Sequence, residues 1–173
     1  MPLAVTHVII TIVLVDLYRH YIAKNSFSRV YVLIAGISGL LPDIDVPLSW
    51  LLSLIFQKEI WVHAIFTHSV ILGVIFLLIG LFIHFSKNKK VLGFSKLNAT
   101  LFFIMISIGW LIHVFLDCTL TGGGGKLSWI PFIAEISFCP RYLTSDLLAG
   151  IDAAILLLWL IHEEVKHKIK DYF

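Results

Sequence analysis

The chain has 173 residues, of which 59% are hydrophobic and only 14% charged, and its mean hydropathy is +0.96. Soluble domains hold roughly half apolar and a quarter charged residues, so lipid must be the solvent for most of this chain. A net charge of +2 gives no support for nucleic-acid binding, and the length suits one membrane-embedded domain over residues 1–173.

Residues 4–22 form the first apolar stretch. No basic residue precedes them and no small-residue cleavage pattern follows, so they are expected to stay as a helix rather than leave as a signal peptide. Apolar stretches at 30–41, 63–85, 98–119 and 146–163 give further helix candidates, of which 30–41 is short for a crossing. Between the second and third, Leu48 to Phe56 has about half the length a span needs and is read as an interfacial or re-entrant helix. The expected fold is an all-α integral membrane protein, a single bundle of about five transmembrane helices plus that short helix.

Basic residues then set the expected topology. Arg19, Lys24 and Arg29 flank the first hairpin, Lys87, Lys89, Lys90 and Lys96 fill a later loop, and Lys166, Lys168 and Lys170 end the chain. With five crossings all of these fall on one side, which the positive-inside rule assigns to the cytoplasm of a plasma-membrane protein, with the N-terminus outside and the C-terminus inside. Cys118 and Cys139 fall on the opposite side. Two cysteines define no disulfide framework, and the sequence leaves open whether they pair.

That opposite face also collects His7, Asp43, Asp45, His63, His68, His113, Asp117 and Asp146, whereas His20, His84, His162 and His167 lie toward the basic face. Ionisable groups at membrane depth are unfavourable unless they turn inward to partners, so their arrival at one level from several helices points to a shared site. Imidazole and carboxylate are donors that zinc, manganese and iron accept. His113 and Asp117 stand four positions apart on one helical face and can chelate an ion, although the pair alone also suits a buried structural contact. Asp43 and Asp45 follow Pro42 at a helix end, where acids oppose the helix dipole unless a cation compensates. Thr67-His68-Ser69 opens the third long helix, and His63 lies about 140° around a regular helix from His68.

The run Thr121-Gly122-Gly123-Gly124-Gly125-Lys126 invites a phosphate-loop reading, but its spacing does not fit the Walker pattern and a flexible turn is preferred. Lys126 and Arg141 remain candidates to meet an anionic substrate from the same face. Thr67, Asp146 and Asp152 are placed as supporting residues behind the ligands.

In these pieces the sequence resembles the YdjM-type family of membrane-bound, metal-dependent hydrolases: Thr6-His7, Gly39-Leu40-Leu41-Pro42-Asp43-Ile44-Asp45, His63 with Thr67-His68-Ser69, His113-x-x-x-Asp117, Thr121, and Leu127-Ser128-Trp129-Ile130-Pro131-Phe132. Such proteins often carry Arg after the first histidine of the third segment, where this chain has Ala64. The resemblance implies a distant likeness to zinc phospholipase C and nuclease folds, and a hydrolase acting on a phosphoester or lipid headgroup. On this expectation His7, Asp43, Asp45, His63, His68, His113 and Asp117 hold one or more divalent ions, zinc before manganese or iron, and Asp43 or Asp45 takes a proton from the attacking water. Two other classes stand beside it. A metal sensor or transporter would use similar residues, but a transport path should continue across the bilayer, and the candidates thin out below Asp152. A scaffold whose polar cluster only fixes helix packing would bind no metal.

Overall fold

A computed structural model of the chain describes residues 4–60, 67–86, 90–91, 94–121, 127–130, 134–136, 139 and 145–167. Helix α1 (Ala4–Leu17) continues through a π-helical turn (Tyr18–Ile22), and together they cover the expected first helix. Helix α2 (Arg29–Ser38) starts at Ser28, whose side chain accepts a hydrogen bond from the Val30 amide at 3.3 Å. It stops short of the expected residue 41. Pro42 has no N–H to give the Ser38 carbonyl, and the chain tightens into a 3-10 turn (Leu41–Ile44).

Helix α3 (Asp45–Phe56) is the short apolar helix, and it leaves α2 at a bend of 46°. Helix α4 covers Val70–Phe85; residues 61–66, which include His63 and the expected start of this helix, lie outside the described residues. A small antiparallel hairpin of β1 (Lys90–Val91) and β2 (Phe94–Ser95) leads to α5 (Lys96–Leu116), which ends in a second π-helical turn (Asp117–Thr121). A second hairpin pairs β3 (Leu127–Ile130) with β4 (Ala134–Ile136), and α6 (Ser145–His167) closes the described chain. The hairpins depart from a purely helical expectation, but both lie in connections and the architecture remains that of an all-α membrane protein.

By length and composition Ala4–Ile22 and Lys96–Leu120 can each cross a bilayer, and the bent pair α2–α3 counts as a third only if it is one span. Helix α4, with 16 residues, is shorter than a full crossing needs. Large apolar side chains such as Leu14, Phe82 and Leu157 point outward, which only lipid makes tolerable.

Helix α5 stands at the centre, against α4 on one side and α2 and α1 on the other, while α6 packs on α1. Its contact with α2 depends on Gly109. A Cβ there would come within 2.7 Å of the Ser38 Cβ and 2.9 Å of the Gly39 nitrogen, so the end of α2 rests directly on the α5 backbone. Across α4 the fit is held by two buried hydrogen bonds, Ser107 Oγ to the Gly73 carbonyl at 2.7 Å and Trp110 Nε1 to the Ser69 carbonyl at 3.2 Å. The pairing that the sequence leaves open is made: Cys118 and Cys139 form a disulfide that ties the end of α5 to a segment 21 residues on.

Candidate metal centre

The three close helix contacts bring side chains from four segments to one point. His7 comes from the start of α1, Asp43 from the 3-10 turn after α2, His68 from the residues before α4, and His113 and Asp117 from the end of α5. His7 and His113 are fully buried, and Asp43, the most open carboxylate of the set, has a side chain 18% exposed.

The ring nitrogens are wired so that their lone pairs face inward. His113 donates its Nδ1 hydrogen to the Gly39 carbonyl at 2.6 Å, because a carbonyl oxygen can only accept. That fixes the tautomer and leaves Nε2 as a lone pair. His68 is held in the same way from behind. Thr67 spends its hydroxyl proton on Oδ2 of buried Asp45, so its oxygen accepts from His68 Nδ1 at 3.1 Å, and His68 Nε2 faces the centre.

Those two Nε2 atoms stand 3.2 Å apart. Asp43 Oδ1 lies 3.2 Å from His68 Nε2 and 3.6 Å from His113 Nε2, and Asp117 Oδ2 lies 3.3 Å from both. Two donors on one tetrahedral zinc, with bonds of about 2.0–2.1 Å, stand roughly 3.3–3.4 Å apart, so these separations suit shared ligation of one small ion. Lone pairs this close repel unless a positive charge sits among them. Two carboxylates, Asp43 and Asp117, face the same point and stabilise positive charge there. The field at this point therefore favours a cation.

His7 completes a second triad with His113 and Asp117. Its ring stacks on that of His113 at a centroid distance of 4.2 Å, and its Nε2 lies 3.3 Å from Asp117 Oδ1. His113 Nε2 has one lone pair and its Nδ1 is committed to Gly39, so the two triads cannot each bind an ion through it. They describe one centre, with Asp117 facing His7 through one oxygen and His68 and His113 through the other.

The remaining expected residues divide by place. Asp45 lies on the far side of the His68 ring, 3.8 Å from Nδ1, where it orients Thr67. Asp152 accepts a hydrogen bond from the Thr6 amide at 2.6 Å, so α6 holds the start of α1 one residue before His7. His63, Lys126 and Arg141 fall outside the described residues, as does the side chain of Asp146. The Gly39 carbonyl and Gly109 also belong to the site, and no ligand-type pattern marks either in the sequence.

The family of YdjM inner membrane proteins matches residues 1–169. The chain belongs to this family. Its members are inner membrane proteins, which places the chain in the plasma membrane and agrees with the long apolar helices. No curated protein and no solved structure matches the chain.

Proposed function

We propose that this YdjM-family protein is a membrane-bound, metal-dependent hydrolase whose centre holds a divalent ion, zinc in preference to manganese or iron, and whose substrate is a phosphoester in a lipid headgroup. The observation that carries the reading is the inward-facing pair of Nε2 lone pairs on His68 and His113, closed by Asp43 and Asp117. A bound ion of this kind lowers the pKa of its water to about 7 and so supplies hydroxide at neutral pH.

His7 and His113 are the deepest ligands, and His113 and Asp117 are fixed by the end of α5, His113 also by the Gly39 carbonyl. Asp43 is the more open carboxylate, with one oxygen toward the histidines, and it is placed to take the proton of an attacking water. Asp45 and Thr67 keep the His68 ring in register. Lipid access follows from α3, which presents Leu48, Trp50, Leu51 and Leu54 outward while Asp45 and Ser49 face in. A headgroup beside this helix reaches the centre without leaving the interface.

We further read α1, α2, α4, α5 and α6 as about five membrane passages, with α3 as a short interfacial or re-entrant helix and the metal centre on the outer face. Support comes from the basic residues at the opposite end and from the Cys118–Cys139 bridge, since disulfides persist in oxidising compartments. Metal analysis of the purified protein at neutral pH, followed by phosphatase and phospholipase assays on wild type and His68→Ala, tests the proposal. One bound ion and turnover lost in the variant are expected. A metal-free protein would overturn the centre itself, and stoichiometric metal without turnover on a broad lipid and phosphoester panel would replace the hydrolase with a metal sensor.

A further inference from the structure

About 18 Å along α1 from His7, at the other end of the first span, lies a second polar site that the metal centre does not use. The π-helical turn and the tight turn after it border an open cleft of about 430 Å³ lined by Asp16, Leu17, Arg19, His20, Tyr21, Asn25 and Arg29. The volume suits a small headgroup rather than a whole lipid.

The cleft is built, not incidental. The Ala23 amide donates to the Tyr18 carbonyl, the Asn25 amide to that of Arg19 and the Ser26 amide to that of Ala23, each at 2.9 Å. Lys24 and Asn25 both take left-handed backbone, at φ 47° and 59°, and for Lys24 this conformation is unfavourable without compensation. Through this turn Arg29 comes back beside Arg19. Arg19 is itself held, its Nε donating to the Phe27 carbonyl at 2.7 Å, which leaves its other guanidinium hydrogens for Asp16, 3.7 Å away, and for a guest. Arg29 forms no ion pair among the described residues. One carboxylate against two arginines leaves the cleft net positive, and arginine's fork of donors fits a phosphate group.

Depth identifies the source of that phosphate. The cleft occupies the last turn of the Ala4–Ile22 span, and Tyr18, Tyr21 and Ile22 are exposed around it at 49%, 73% and 68%. Tyrosine at the end of a span sits at headgroup level. We infer that this cleft binds the phosphate of an anionic phospholipid, with Arg29 and Arg19 as the recognising residues, in the leaflet opposite the metal centre. The inference stands without the hydrolase reading.

The test uses the full-length protein in detergent, titrated with phosphatidylglycerol and with phosphatidylcholine, with binding read by native mass spectrometry and thermal midpoint. Wild type is expected to retain phosphatidylglycerol in preference, and Arg29→Gln to weaken it about tenfold, the loss of one charged hydrogen bond. Lys90→Gln, which removes an exposed charge outside the cleft, should leave retention unchanged. Because Arg29 is exposed, its variant should keep the lipid-free midpoint of wild type. Equal retention of the two lipids, or equal loss in the two variants, overturns the proposal. Glycerol phosphate tests the source: if it alone reproduces the Arg29-dependent shift at the same concentration, the guest is a soluble phosphate and not a lipid.

Discussion

The two ends of α1 treat polar side chains in opposite ways. Near its start, short side chains are buried against three other segments, and the donors around His68 and His113 are spent on the scaffold so that only acceptors face the centre. Near its end, long arginine and tyrosine side chains stand around an open cleft with donors to spare. The first arrangement is closely packed and could hold a small cation. The second is adaptable and suits a polyanionic surface. Side-chain length and burial, more than charge alone, decide which kind of ligand each end can hold.

Substitutions break this comparison in a graded way. The largest effect is expected from His113→Ala, which removes the ligand common to both triads; metal content of the purified protein should fall to background, while lipid retention at the arginine cleft persists. Next comes loss of the Cys118–Cys139 bridge, which closes a loop of 21 residues; the Cys118→Ser, Cys139→Ser variant should lose about 3 kcal/mol of stability by thermal or denaturant unfolding. Gly109→Ala forces a methyl group into the α2 backbone and should destabilise by about 1–3 kcal/mol, with weaker metal retention because the Gly39 carbonyl is displaced from His113. Thr67→Val keeps the shape but removes the hydroxyl between Asp45 and His68; metal affinity should drop by about 10-fold to 100-fold in a chelator competition. Smallest of all, Arg29→Gln should leave metal stoichiometry untouched, and a change there would mean that the two ends are coupled.

Much of this is legible in the sequence. Long apolar runs placed α1 and α5 closely, since lipid imposes both length and composition on a crossing helix, and the short run before residue 57 emerged as the separate helix α3. His7, Asp43, His68, His113 and Asp117 were gathered by their common level in the membrane, and they do converge. Orientation was not legible. A 3-10 turn advances about 120° per residue, so Asp43 and Asp45, two positions apart, face different sides of His68, a distinction that depends on where α2 stops. Nor could the sequence show that Gly109 sets the distance between α2 and α5, because glycine is common in membrane helices and only the neighbour it admits gives it meaning.

The Gly39 carbonyl has a consequence for how this centre can be dissected genetically. It presents an acceptor to His113 from the main chain, and every one of the twenty encoded residues carries the same carbonyl. Saturation mutagenesis would therefore score the partner histidine and remain silent about the group that selects its tautomer. Replacing the peptide unit after residue 39 with an ester, which weakens that carbonyl as an acceptor, is the change that would make its contribution visible.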